Sequence, residues 1–328
     1  MPEPSRKVQI LCPELPTNLL LVNRCSPGDV LMLTAAVRDL HAAYPQRYVT
    51  AIETLCPDLW LHNPYVMPAA LESQGLVHID CHHPPLLNRC NGQPRHYIEA
   101  VCDLLSERLG REIPLQRFAP DIHLAPWEKE GPPKGARPPY WVVVAGGKHD
   151  VTIKWWPRHF FQEVIDHFAG RIRFVQVGNA DDHHPVLEGA INLVGQTTLR
   201  ELVQLVYHAE GVVCPVTCTM HMAAAFDKPC VVIAGGREPP HWEMYPGHQF
   251  LHTVGQIDCC RRHGCWKARI QPIGDGDEER DGNLCLHPTS VDGEPVARCM
   301  AMIEPIDVCR AIERYRMGAE AWQEPSRP

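Results

Sequence analysis

Apolar positions along the chain fall into short strand-length runs that alternate with longer segments of helical period. Leu19–Val22 is the first run, and the loop 23–28 leads from it into a segment where Val30, Leu33, Ala36, Val37, Leu40 and Tyr44 recur at helical spacing until Pro45. Tyr48–Ile52 and Leu76–Asp80 read as further strands. Tyr97–Leu109 reads as a helix, with Ile98, Val101, Cys102, Leu105 and Leu109 on one face and Gly110 at its end. After residue 139 the alternation restarts with strand Trp141–Ala145, helix Arg158–Phe168 and strand Arg173–Val177. Helix Leu199–His208 follows, opened by Thr198 and Glu201 at capping-box spacing. Next come strand Val212–Cys214, the turn Pro215-Val216-Thr217, a short helix from about Thr219, strand Cys230–Ile233, and a last helix over Pro305–Arg316. Strands and helices in this order predict an α/β chain whose parallel sheets are covered by helices.

The stretch 126–139 breaks the pattern. It mixes charge, glycine and proline without a period, which is the texture of a linker, and so divides the chain into β/α domains at 1–135 and 136–328 with a cleft between them. At 328 residues each half is long enough to bury a core of its own. A formal charge of -8 argues against a nucleic-acid partner. No apolar run reaches membrane-spanning length, and the start MPEPSRKVQI lacks the basic-then-apolar order of a signal, so a cytoplasmic protein is expected. Fifteen cysteines, an odd number, fit a reducing compartment better than a disulfide framework.

The candidate chemistry starts at Val212–Gly236. A strand that turns directly into a helix aims free N–H groups and the positive end of the helix dipole at whatever lies above the sheet, which suits a phosphate. The alternative is one more β-α-β unit without a ligand. Two strand ends share a texture, Val142 to Lys148 and Val231 to Arg237: each carries paired glycines that let backbone approach a ligand, followed by a cation. No GxxxxGK[ST] or GxGxxG sequence is present.

A second group is Cys259, Cys260, Cys265, Cys285 and Cys299, within a glycine- and acid-rich segment over 257–300. Four thiolates converging tetrahedrally would staple such a loop through zinc or iron, with one of the adjacent Cys259 and Cys260 spare. The alternative is a set of reduced free thiols. The acidic run Asp275–Asp281 has Arg280 where a calcium loop needs glycine, and reads as a solvated loop.

Four ordered landmarks carry a family resemblance: Pro27-Gly28-Asp29-Val30 leading into a helix, Lys154-Trp155-Trp156-Pro157, Asn192-Leu193-Val194-Gly195, and Met220-His221-Met222-Ala223-Ala224-Ala225. Together they resemble glycosyltransferase family 9, which contains the ADP-heptose heptosyltransferases. The resemblance implies a GT-B architecture with two Rossmann-like domains facing across a cleft, acceptor on the N-terminal one and sugar nucleotide on the C-terminal one. It implies metal-independent inverting transfer of heptose from ADP-heptose to an acceptor hydroxyl. Asp29 matches the family's base and Lys154 its phosphate-contacting lysine. Thr217 and His221 fall where the pyrophosphate is held, with Cys218, Thr219 and Gly178 as further donor contacts. Where the family carries an aspartate against the donor sugar, this chain has Val216. The CCxxxxCW element with Cys285 and Cys299-Met300 is similar to the protein-modifying autotransporter branch, which implies a structural cysteine-bound iron (or zinc), a homo-oligomer, and a serine or threonine of a protein as acceptor. A lipopolysaccharide core sugar is the alternative acceptor. Outside this class stand a GT-B-fold sugar-nucleotide epimerase, which needs no acceptor, and a non-catalytic scaffold, which binds no sugar nucleotide.

Overall fold

The structure is a computed structural model, and residues 15–67, 75–82, 93–261 and 263–318 are described. The expectation for residues 1–10 lies outside these ranges. Two parallel sheets organise the chain. The first has the order β2-β1-β3, built from β1 (Thr17–Asn23), β2 (Tyr48–Thr54) and β3 (Val77–Asp80), with helices α1 (Pro27–Ala43) and α2 (Tyr97–Leu109). The second has the order β6-β5-β4-β7-β8-β9, from β4 (Trp141–Val143), β5 (Phe174–Gln176), β6 (Ile191–Asn192), β7 (Gly211–Pro215), β8 (Cys230–Gly235) and β9 (Gln249–His252). Every pairing in both sheets is parallel. The helices of this half are α3 (Arg158–His167), α4 (Leu199–His208), α5 (Cys218–Ala225) and the single turn α6 (Pro240–Glu243). After them come α7 (Glu278–Gly282), the hairpin β10 (Pro288–Val291) and β11 (Glu294–Ala297), α8 (Arg298–Ala301) and α9 (Pro305–Met317).

The predicted boundaries hold to within a few residues because local chemistry sets them. Gly110 closes α2 at φ +63°, a left-handed conformation that glycine adopts without a Cβ penalty. Thr198 and Glu201 form the reciprocal capping box at the start of α4. The central strands are buried on both faces, and their side chains sort by the period of two. Val142, Val212, Cys214 and Val232 join one apolar cluster, while Trp141, Val143, Val213 and Ile233 join another.

The first of these clusters is shared between the two halves. It runs from Leu19, Leu31 and Leu33 through Tyr97 to Val212, Met220 and Ala223. The first half therefore packs directly on one face of the second sheet through α1 and α5, where the sequence suggests two separate cores. The stretch 126–139 also differs from a free linker: Pro126–Lys129 form a 3₁₀ turn whose Glu128 is buried. Its carboxylate accepts two 2.6 Å bonds from Arg200 and one from Gln204 on α4.

Candidate active site

The loop between β1 and α1 is shaped by Asn23, whose carboxamide accepts the Cys25 N–H at 3.0 Å and donates to the Cys81 carbonyl at 3.2 Å. Pro27 then opens α1, a position where its missing N–H and fixed φ cost nothing. Asp29 follows in the first turn, favourable against the helix dipole and 8% exposed. Gly28 beside it allows α1 to lie on α5: a Cβ there would sit 3.1 Å from His221 Cδ2 and 3.2 Å from Nε2.

On the other side, Thr217 is the extended residue (φ -145°, ψ 173°) before α5, and its hydroxyl lies 2.6 Å from that of Thr219 instead of capping a helix N–H. The start of α5 thus keeps N–H groups unclaimed by a side-chain cap. His221 is buried, with Nδ1 2.7 Å from the Tyr245 hydroxyl. Burial, and then His96, His248 and Lys154, hold its pKa well below the ordinary value, so it offers a hydrogen bond and no charge. Burial pushes the Cys218 thiol up to about 12, which keeps it protonated.

Lys154 ends the 3₁₀ turn His149–Lys154. Its Nζ lies 2.6 Å from Glu238 Oε1 and donates to the Val216 carbonyl at 3.3 Å. Arg237 also pairs with Glu238 Oε1. Burial disfavours the Glu238 carboxylate, but Lys154 and Arg237 outweigh it and the net pKa is lowered. Its neighbour Glu243 is driven the other way, to about 8, first by burial and then by Glu238.

These groups face a cavity of about 650 Å³ at the carboxyl ends of the second sheet, roofed by the start of α1. Asp29, Lys154, Gly178, Thr217, Cys218, Thr219 and His221 all line it. Lys148, also on its wall, reaches the Ser26 hydroxyl at 3.2 Å and so links the two halves across the opening. The family model of glycosyltransferase family 9 (heptosyltransferase) matches residues 86–262, more than half of the chain. The chain belongs to glycosyltransferase family 9.

The glycosyltransferase fold is also that of solved structures. The iron-containing dodecameric glycosyltransferase TibC from enterotoxigenic E. coli H10407 aligns with TM-score 0.62 at 17% identity, over 92% of this chain and 76% of TibC. The ADP-heptose lipopolysaccharide heptosyltransferase II of E. coli aligns with TM-score 0.58 at 15% identity, over 93% of this chain and 100% of that one. A family 9 glycosyltransferase from Veillonella parvula DSM 2008 gives 0.63 at 14%, over 92% and 98%. At these identities the likeness is one of fold, the α/β arrangement of GT-B heptosyltransferases. No curated protein matches the chain.

The paired glycines serve this glycosyltransferase differently from the expectation. A Cβ on Gly146 would lie 1.9 Å from the His183 carbonyl, and Gly147 exchanges backbone hydrogen bonds with His183 in both directions. A Cβ on Gly235 would meet Met300 Sδ at 2.4 Å, and one on Gly236 would meet Cys260 Sγ at 3.1 Å. Both pairs admit neighbouring chain, and only the first also borders the cavity.

The cysteine segment packs beside β8, where Cys265 N–H donates to the Gly236 carbonyl and Cys260 and Cys299 are buried. Cys259, Cys260, Cys265, Cys285 and Cys299 are all free thiols. Cys259, Cys260, Cys265 and Cys285 are close enough to influence one another electrostatically, and burial first, then these neighbours, raises Cys259 to about 11. Among the described residues, however, no three His, Cys, Asp or Glu side chains are arranged to hold a metal ion, so the expected tetrahedral cluster is not preformed. The acidic run is likewise not simply solvated. Asp275 and Asp281 close on the fully buried guanidinium of Arg269, and Asp281 also accepts the N–H groups of Ile273 and Gly274. Among the described residues no helix is long and apolar enough to cross a membrane.

Sequence reasoning overlooked Glu238, Trp242, Glu243 and Trp266, which all line the cavity. A signal existed for the first, because Glu238 directly follows the Gly235-Gly236-Arg237 strand end.

Proposed function

We propose that this family 9 glycosyltransferase transfers heptose from ADP-heptose, with inversion, to an acceptor hydroxyl. The observation that carries the reading is the single cavity that gathers Asp29 from α1, Lys154, and the start of α5. The acceptor oxygen forms its bond to the anomeric carbon while its proton passes to the Asp29 carboxylate. The bond from that carbon to the β-phosphate oxygen breaks, and its electron pair leaves with ADP. Lys154 supplies positive charge to the departing diphosphate, the N–H groups at the start of α5 add hydrogen bonds, and neutral His221 adds one more. Residues 1–135 would carry the acceptor and residues 136–328 the donor.

A serine or threonine of a protein is the preferred acceptor, with a lipopolysaccharide core sugar as the other, and the chemistry belongs to the cytoplasm where sugar nucleotides are made. The cysteine element Cys259–Trp266 with Cys285 and Cys299 supports the first, and the likeness to heptosyltransferase II supports the second. A structural iron or zinc at Cys265, Cys285, Cys299 and one of Cys259 and Cys260 is part of the same reading. It is supported by the electrostatic proximity of those thiols and by the likeness in fold to TibC, an iron-containing glycosyltransferase. Bound ion would hold the segment against β8 and take no part in the transfer.

The Asp29→Asn variant tests the catalytic assignment. It is expected to bind ADP-heptose as the wild type does and to lose transfer by ~10²–10⁴-fold, read by mass spectrometry of acceptor candidates co-expressed with an ADP-heptose supply. Full turnover by the variant would remove Asp29 as the base.

A further inference from the structure

One wall of the cavity holds four polar atoms that are buried and have no hydrogen-bond partner among the described residues: Glu238 Oε2, Glu243 Oε2, Trp242 Nε1 and Trp266 Nε1. Glu238, Trp242 and Glu243 are at least nine-tenths buried. A buried polar group without a partner carries its desolvation cost uncompensated, so four along one wall of a ligand-sized cavity mark a surface completed by something absent from the chain itself. Glu238 Oε2 is a carboxylate acceptor, the carboxyl of Glu243 can accept or, while protonated, donate, and the two indoles are donors, a mixture that matches a compound rich in hydroxyl groups. The carboxyls and indoles are also held in place. Glu238 Oε1 is fixed by Lys154 and Arg237, the Trp242 and Trp266 rings meet edge to face at 4.5 Å, and Arg237 lies 5.5 Å over the Trp266 ring.

The position of the wall says which part of a ligand it meets. Glu238 is in direct contact with Lys154, the residue proposed to face the diphosphate, and the Glu243 carboxyl lies within electrostatic reach of both Lys154 and Asp29. The group between a diphosphate and an acceptor base is the transferred sugar. Val216, on the same cavity, presents an apolar side chain and has its carbonyl engaged by Lys154, so hydroxyl partners must come from elsewhere.

Resting on the proposed donor, we infer that Glu238, Trp242, Glu243 and Trp266 form the donor-sugar subsite, binding the hydroxyls of a neutral polyhydroxylated sugar and selecting it over sugars that bear a carboxylate. The ionised Glu238 repels an anionic sugar, while its free oxygen accepts from a hydroxyl. The carboxyl of Glu243 and the two indole N–H groups complete the pattern, and the ring edges cover the sugar's C–H positions.

The test compares ADP with ADP-heptose by calorimetry on the wild type, Glu243→Ala and Trp266→Phe, with thermal unfolding as the check on folding. The wild type is expected to bind ADP-heptose more tightly than ADP. Each variant is expected to keep the affinity for ADP within about twofold while the advantage of ADP-heptose falls ~5–100-fold. Trp266→Phe keeps the ring and removes only the N–H, so it decides the matter if Glu243→Ala does not fold. An unchanged ratio of the two affinities in a folded variant overturns the subsite. A wild type that binds ADP but gains nothing from heptose also overturns it, while one that binds neither compound overturns the proposed function itself.

Discussion

The carboxyl of Glu243 keeps its proton where an ordinary glutamate has lost it, because burial and the Glu238 carboxylate both penalise the charged form. Asp29 pushes the same way, and Lys154 and Arg237 oppose it. Between about 4.5, the ordinary value, and about 8, the folded chain therefore binds more protons here than the unfolded chain does. Stability from this group is greatest at the acidic side of that window and falls as pH rises through it. Glu243→Gln lacks the titration, so its urea midpoint relative to wild type is expected to climb from the acidic to the basic side of the window. A difference that stays level with pH would assign the burden to another group. His96 and His248 have the opposite consequence. Burial lowers them to about 3 and about 4, so the unfolded chain takes up protons first and stability falls as pH drops below the ordinary histidine value.

Among the elements, α4 and the turn at Pro126–Lys129 depend on one another. Arg200 on α4 bonds both carboxylate oxygens of Glu128 and the carbonyls of Asp58 and His123, so one side chain ties the second half to two segments of the first. Arg200→Ala leaves the Glu128 carboxylate buried with no cation, and a loss of about 3 kcal/mol is expected, measured by urea denaturation. A change under about 0.5 kcal/mol would show that the pair behaves as a surface bridge. This tie was not legible in the sequence. Glu128 sits in a proline- and charge-rich run with no period, and its partner lies 72 residues further on. The helices and strands themselves were legible, since apolar period and capping residues are local properties. The gaps are β6, β9 and the hairpin β10–β11, short strands of two to four residues that, apart from Val296 and Ala297 on β11, are exposed or partly exposed.

For the whole molecule, the shared core makes the two halves a packed pair around the cavity. The sheets meet through α1 and α5, with Arg117 adding a 2.8 Å bond to Asp227 and another to the Ala225 carbonyl. The cysteine segment bears on the molecule as an assembly. If the proposed ion is present, elemental analysis of purified protein is expected to find about one iron or zinc per chain, lost in Cys265→Ser together with any oligomer seen by native mass measurement. Protein that carries neither metal would leave the thiols as reduced packing groups beside β8.

The sequence by itself determined the alternation of strands and helices, the parallel sheets, the placing of Asp29 at a helix start and the strand-turn-helix at Thr217, because these follow from period, caps and turns within a few neighbouring residues. Only the tertiary structure decided which distant residues share the cavity, that the paired glycines admit neighbouring chain, that the acidic run closes on Arg269, and that Glu238 and Glu243 part ways in their protons. Those outcomes depend on burial and on charges brought together from far along the chain, and no local pattern encodes either.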